Sequence, residues 1–183
     1  WWVEGTNKFI SFLTPNSLVL DAGCGAGTKS KYLISKKLKV IGIDFSDKLI
    51  EIAKREIPSG KFFVMDINEA DKLTEEFDGI FMQAVLLHIP KKDAKKTLKK
   101  LLDKLKLGGY LYIAVKEKKL EGANEEIKVE NDYGYSYKRF FSYFTLSEIK
   151  NLMKELGLKI NYENIASYGH TRWIQVIGKK RNE

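Results

Sequence analysis

Short aliphatic runs alternate with amphipathic stretches along most of the chain. "SLVLDAG" (17–23), "LKVIGIDF" (38–45), "KFFVMDI" (61–67), "FDGIFMQAVLL" (77–87) and "YLYIAV" (110–115) each have the nearly continuous apolar character of a buried parallel strand. Between them, apolar positions recur at helical spacing. A helix from about Ala26 to Ser35 follows the first strand. In "SDKLIEIAKREI" the positions Leu49, Ile50, Ala53 and Ile57 mark a second helix, capped by Ser46 or Asp47 and ended by Pro58 and Gly60. A short helix from Asn68 to Thr74 separates the third and fourth strands. The spacing predicts a longer helix over 91–106, with Ala94, Leu98, Leu101, Leu102 and Leu105 as its stripe, lysines opposite, and Gly108-Gly109 as its stop.

After Lys116 this rhythm stops. The stretch 117–144 is polar and rich in tyrosine, and it reads as an insertion rather than a second domain. Thr145 and Glu148 then match the S/T-x-x-E capping box of a helix running to about Leu156, with Gly157 placed to end it. "LKINYENIA" and "RWIQVIGK" flank "SYGH" and predict an antiparallel hairpin. The expected fold class is α/β: one doubly wound domain over 1–183, with a seven-stranded, mostly parallel sheet closed by an antiparallel C-terminal hairpin.

Composition narrows the class further. A chain of 183 residues can enclose a single sizeable core, and 44% hydrophobic with 31% charged residues describes a globular rather than a disordered chain. No apolar run approaches the roughly 18–20 residues of a membrane-spanning helix, so no membrane partner is expected. "WWVEGTNKFISFL" lacks a basic leader, a long apolar core and a small-residue cleavage site, so no secretory signal is read. The first residue is not Met; residues upstream are therefore expected, and targeting by a removed segment stays open. A lone Cys24 excludes an internal disulfide, and with two histidines no metal site is expected. The cytoplasm is the expected compartment.

The formal charge of +8 would suit an anionic partner. It is nearly all lysine, however: Arg55, Arg139, Arg172 and Arg181 are the only arginines. Bidentate phosphate recognition favours arginine, so a solvated lysine surface is preferred, and a nucleic-acid partner remains the alternative.

"VLDAGCGAGTKSKYL" (19–33) joins a strand to a helix through a glycine loop, at the carboxyl edge where open α/β sheets bind ligands. The dinucleotide fingerprint G-x-G-x-x-G fails here. Gly23 and Gly25 fit, but Gly27 comes one place early and Thr28 holds the position that needs glycine. Asp21, directly before the loop, would repel a pyrophosphate. A ligand without phosphate and with positive charge suits this acid better, namely S-adenosylmethionine with its sulfonium and α-ammonium groups. Asp44, ending the second strand, can accept both ribose hydroxyls. Asp66, ending the third, can accept the adenine amine, while the Ile67 N–H can donate to a ring nitrogen.

These residues carry a resemblance to a known family. "VLDAGCGAG" (19–27) closely resembles motif I, D-x-G-C-G-x-G, of the class I S-adenosylmethionine-dependent methyltransferases. "IGIDFSDKLIEIAK", "FVMDI", "FDGIFMQAVLLHIP" and "LKLGGYLYIAV" resemble the second to fifth motifs, in order, and the whole is similar to the small Rossmann-like type 11/25 members. "FFSYFTLSEIKNLMKELGLKI" with "TRWIQVIGKK" is similar to the ending of many small bacterial or archaeal members. The resemblance implies S-adenosylmethionine as cofactor, S-adenosylhomocysteine as product, and in-line methyl transfer to an oxygen, nitrogen or carbon nucleophile of a small molecule. The alternatives are a tRNA or other nucleic-acid acceptor, or a non-catalytic S-adenosylmethionine-binding module. It further implies Asp21, Ala22, Gly23 and Gly25 at the methionyl and ribose portion, Asp44 at the ribose, Phe45 on the adenine face, Asp66 and Ile67 at the adenine, and Gln83 near the methionyl group and the acceptor.

On the acceptor side two readings of His88 stand together: a general base or substrate contact, or a loop histidine that positions the backbone before Pro90. Within the insertion, Tyr133, Tyr135 and Tyr137 are expected to line a substrate pocket, and Phe141 and Phe144 to join the core. Cys24 is expected to be a packing residue.

Overall fold

The computed structural model describes residues 1–131 and 134–181. In chain order the elements are α1 (Trp2–Ser11), β1 (Leu18–Ala22), α2 (Thr28–Ser35), β2 (Lys39–Asp44), α3 (Asp47–Glu56), β3 (Lys61–Val64) and β4 (Phe77–Gln83). There follow α4 (Lys91–Leu102), β5 (Leu105–Lys116), β6 (Glu125–Glu130), β7 (Tyr137–Ser142), α5 (Leu146–Glu155), β8 (Leu158–Tyr168) and β9 (Thr171–Lys180). Seven strands form one sheet in the order β3-β2-β1-β4-β5-β9-β8. The first five are parallel, and β9 runs antiparallel to both β5 and β8. The chain therefore works outward from β1 to β3 and returns to β4, so the strand order reverses beside β1, and ligands of such sheets bind beyond the carboxyl ends at that point.

Alternation along the strands feeds two cores. On β4, Ile80 and Met82 pack with Leu98 and Leu101 of α4 and Ile149 and Met153 of α5. Phe81 points the other way, against Phe9 of α1, Leu33 of α2 and Tyr112, whose ring it stacks at 4.6 Å. Local signals hold where they satisfy backbone groups. Ser46 Oγ accepts from the Leu49 N–H at the start of α3, and Thr145 and Glu148 form the reciprocal capping box of α5. Gly157, at φ +80, follows α5.

Four details depart from the sequence reading. Helix α1 was not anticipated; it docks through Phe9, and Trp1 before it stacks on Trp173 at 3.9 Å. The short helix expected over 68–74 is a 3-10 turn, Ile67–Lys72. The long helix stops at Leu102 rather than Lys106, and Leu105 already pairs with Phe77 as part of β5. Gly108-Gly109 is thus an irregularity inside a strand, not a helix stop. Gly108 has φ +77, and a Cβ on Gly109 would lie 2.9 Å from the carbonyl oxygen of Asp78 on β4. Finally, the insertion carries an antiparallel hairpin, β6 on β7, from Glu125↔Ser142 to Glu130↔Tyr137. Ser142 Oγ donates to the Ile89 carbonyl at 2.7 Å and the Lys91 N–H donates to Glu125 at 2.6 Å, which ties the hairpin to the segment after β4. No helix among the described residues is long and apolar enough to cross a membrane.

Candidate functional site

The loop after β1 turns through Gly23, Gly25 and Gly27, all at positive φ. Its first two N–H groups, of Gly23 and Cys24, donate to the Ile43 carbonyl at 2.8 and 3.0 Å, so β2 fixes where the loop begins. Asp44, the next residue on β2, fixes its middle. One carboxylate oxygen accepts the Gly25 N–H and the other the Ser46 N–H, each at 2.9 Å. A carboxylate offers about four lone-pair sites, so two bonds leave it acceptor capacity. Asp66 caps the 3-10 turn by accepting the Asn68 N–H at 2.7 Å. These groups border a cavity of about 540 Å³, lined among others by Gly23, Asp44, Phe45, Asp66, Ile67 and His88. Phe45 is 82% exposed, an uncovered aromatic ring at the cavity wall. At Gly23 the loop meets the segment after β4: a Cβ there would lie 2.4 Å from a Val85 methyl.

The side chains of Asp21 and Ala22 turn away from the cavity. Strand alternation sends Asp21 to the α2 side, where Ser30 Oγ donates to it at 2.6 Å, and Ala22 into the opposite core. Neither lines the cavity. Burial pushes the Asp21 carboxyl up to about 6, against opposing help from Ser30 and Lys29. Gln83 ends β4 outside the cavity's lining residues, with its amide oxygen buried and without a hydrogen-bond partner. The next residue, Ala84, holds φ +58, unusual for a non-glycine, and with Val85 forms part of the cavity wall.

His88 lies on the 3-10 turn Leu86–His88, its ring tilted on Phe141 at 4.9 Å and its Nδ1 2.9 Å from the Phe140 carbonyl oxygen. A carbonyl only accepts, so Nδ1 carries the proton and Nε2 of the neutral ring keeps its lone pair. Burial lowers the pKa of His88, favouring that neutral form.

Tyr135 and Tyr137 are not among the residues that line the cavity. Tyr135 is 63% exposed and Tyr137 bonds Glu130 across the hairpin, with Arg139 over its ring. The hairpin instead turns Phe141 inward, and Phe141 and Phe144 are buried as expected. Tyr133 lies outside the described residues. Cys24 is buried, and burial with the nearby Asp21 and Asp44 charges pushes its thiol well up, as suits a packing residue. Sequence reasoning missed the wall supplied by α4. Thr97 donates to the Asn68 side chain at 2.8 Å and Lys100 to the Asn68 carbonyl, both beside the cavity; the sequence reading had only set the lysines of this helix opposite its apolar stripe. Among the described residues no cluster of His, Cys, Asp or Glu is arranged to hold a metal ion.

A methyltransferase domain family model matches residues 19–109. The ubiquinone biosynthesis O-methyltransferase of Coxiella burnetii (strain RSA 493 / Nine Mile phase I) is 32% identical over 100 residues, which are 52% of this chain and 42% of that protein. The chain thus spans less than half the length of this curated relative. Among solved structures, a SAM-dependent methyltransferase from Methanosarcina mazei is similar at a TM-score of 0.81 and 22% identity, covering 94% of this chain and 96% of that one. The Burkholderia thailandensis 1,6-didemethyltoxoflavin-N1-methyltransferase, solved with 1,6-didemethyltoxoflavin and S-adenosylhomocysteine bound, is similar at a TM-score of 0.79 and 18% identity, covering 98% and 78%. At such identities the structures establish the fold, a Rossmann-like sheet with its antiparallel closing strand. The matched segment runs from β1 to the glycine pair of β5 and contains the glycine loop, both strand-end acids and His88; the chain belongs to the class I S-adenosylmethionine-dependent methyltransferases.

Proposed function

We propose that this chain binds S-adenosylmethionine in the 540 Å³ cavity and transfers its methyl group to an oxygen, nitrogen or carbon nucleophile of a small molecule. The observation that carries this reading is the Asp44 carboxylate, which ties down the glycine loop with two backbone bonds and keeps lone pairs for a pair of ribose hydroxyls. A further observation fits the cofactor: the glycine loop reaches the cavity wall at Gly23, without a side chain between its backbone and a ligand. Asp66 and the Ile67 N–H would hold the adenine edge, and Phe45 would cover its face.

When bound, the sulfonium supplies an already activated methyl group. What remains for the protein is to align the acceptor in line with it, to exclude water and to remove a proton where the acceptor carries one. The Nε2 lone pair of His88 is the base available in the cavity wall, and its fixed tautomer favours an enzyme over a module that only binds the cofactor. A nucleic-acid acceptor is the weaker reading, since half of the lysines of α4, namely Lys91, Lys95 and Lys100, already pair with Glu148, Glu155 and Asp71 of the chain itself.

Calorimetric titration with S-adenosylmethionine and S-adenosylhomocysteine, repeated with Asp44→Ala, tests the reading. Both ligands are expected to bind the unaltered chain and to bind the variant weakly. If neither binds the unaltered chain, the reading fails.

A further inference from the structure

Three consecutive residues of β7 hold the segment that carries His88. The Phe140 carbonyl accepts from His88 Nδ1, the Phe141 ring packs on the imidazole, and the Ser142 hydroxyl donates to the Ile89 carbonyl. Opposite Ser142, at the root of the hairpin, stands Glu125, whose carboxylate accepts the Lys91 N–H. The two side chains thus bracket Pro90: one takes the carbonyl before it and the other the N–H after it. Pro90 precedes α4 and has no polar side chain with which to cap it. The first N–H groups of a helix find no acceptor within the helix, so the Lys91 N–H needs one from outside. Glu125 supplies it from 34 residues away, and its negative charge suits the positive end of the helix dipole.

This root is a connected network. Ser142 is fully buried, and its Oγ also lies 3.2 Å from the Glu125 oxygen that serves Lys91. Farther along the hairpin, Arg139 of β7 pairs with Glu130 of β6 at 3.0 Å. Among the described residues, the charges that act on His88 are those of Arg139 and Glu130 and that of Lys116 on β5. The ring's hydrogen bond, its aromatic packing and two of these three charges therefore come from the hairpin. Neither Glu125 nor Ser142 lines the cavity, so both act on it only through the segment they hold.

We propose that Glu125 and Ser142 are positioning residues for methyl transfer: by fixing the backbone on either side of Pro90 they keep the His88 ring on the Phe140 carbonyl and its Nε2 lone pair available. The inference rests on the reading of His88 as the base in the cavity wall, and it makes the root of the insertion part of the machinery that sets that base.

NMR of the full chain labelled with ¹⁵N-histidine tests the proposal without an acceptor. His88→Gln assigns the His88 signal, and the exposed His170 serves as internal reference. In the unaltered chain the neutral His88 ring is expected to be almost wholly the Nδ1–H tautomer. In Glu125→Ala and in Ser142→Ala that tautomer is expected to fall to a minority and the His88 pKa to move back towards 6.5, with His170 unchanged. Glu125→Gln keeps an acceptor oxygen for the Lys91 N–H and is expected to restore most of the Nδ1–H population. A tie that served stability alone would lower the Tm and leave the tautomer as it was. Should Ser142→Ala fail to fold, Glu125→Ala, at an exposed position, decides the matter. An unchanged tautomer in Glu125→Ala, or in folded Ser142→Ala, overturns the proposal. S-adenosylhomocysteine is expected to bind these variants as it binds the unaltered chain. If it does not bind the unaltered chain, the cofactor reading fails, while the His88 spectra still report whether Glu125 and Ser142 position the ring.

Discussion

His88 Nδ1 and the Phe140 carbonyl oxygen stand 2.9 Å apart, so the hairpin of the insertion sets the tautomer of the histidine in the cavity wall. The consequence is measurable as a pH dependence. Burial lowers the pKa of His88 from 6.5, so Nε2 is already a competent base at neutral pH. Methyl transfer to an acceptor that must lose a proton is expected to rise with pH through a midpoint below 6.5 and then stay flat. His88→Gln is expected to lower kcat by roughly 100-fold and to remove this limb, leaving cofactor affinity unchanged. A kcat profile from pH 5 to 8.5 decides it. An unshifted limb in the variant would assign the titration to another group. The two histidines make an NMR titration of the ring protons a direct second check.

Asp44 is expected to have a double effect. Asp44→Ala removes the acceptor of the Gly25 and Ser46 N–H groups as well as that offered to the ribose. Hydrogen bonds to a charged group contribute about 1.5–3 kcal/mol each, so the Kd for S-adenosylhomocysteine should rise at least about tenfold and the Tm should fall. Asp44→Asn keeps one acceptor oxygen and should restore part of the Tm but little of the affinity. Equal affinity in wild type and Asp44→Ala would remove Asp44 from the site.

Five parallel strands could be read from the sequence as apolar runs, four because they are buried on both faces and β3, at the sheet edge, although only Phe62 of it is buried. Asp44, Phe45, Asp66 and Ile67 could be read because each follows such a run, at the edge where the sheet binds ligands. Asp21 could not. That it shares a face with Val19 was visible, but nothing in the sequence tells which face of β1 meets α2 and which end of the loop opens on the cavity. Gly108-Gly109 misled for a related reason. A glycine pair after an amphipathic stretch signals a helix end as well as a strand irregularity, and only the Asp78 carbonyl on β4 distinguishes them. Helix α1 was hidden because its buried face includes Gly5 and Thr6, residues without apolar bulk; Gly5 is small because the Gln175 side chain fills the space beside it. The β6–β7 hairpin was hidden because its alternation points outward, with Ile127 and Val129 mostly exposed.

Gly23→Ala is expected to disable the cavity more than it destabilises the fold. The residue holds φ +79, a conformation that costs an L side chain about 1–2 kcal/mol, and the added methyl would lie 2.4 Å from Val85 Cγ2. Moving the loop to relieve that contact displaces the N–H groups that Ile43 and Asp44 hold. S-adenosylhomocysteine binding should be lost while thermal unfolding remains cooperative at a lower Tm. Pairing it with Val85→Ala relieves the contact but not the backbone strain, so the double variant should recover only part of the affinity. Full recovery would show that sterics alone make glycine necessary here.

Asp21 gives a stability prediction with a definite sign. Its carboxyl titrates at about 6 in the folded chain, against 3.8 for an unperturbed aspartate, because burial penalises the charged form more than the Ser30 hydroxyl and the Lys29 charge support it. Between these two values the folded state binds the proton more tightly than the unfolded state does. Stability contributed by this group is therefore present below pH 3.8, falls as pH rises towards 6, and is absent above it; a shift of about two units corresponds to on the order of 3 kcal/mol. Asp21→Asn removes the charge and keeps an acceptor for Ser30 Oγ, now 2.6 Å from the carboxylate. Urea unfolding should show the variant more stable than wild type at pH 7.5, with the advantage vanishing near pH 4, where wild-type Asp21 is itself protonated. Asp21→Ala, which leaves the Ser30 hydroxyl without its partner, should lack the gain of the asparagine at either pH. If Asp21→Asn is instead destabilised at pH 7.5, the ionised carboxylate is a net support of the glycine loop, and its burial is compensated by Ser30 and Lys29 rather than tolerated.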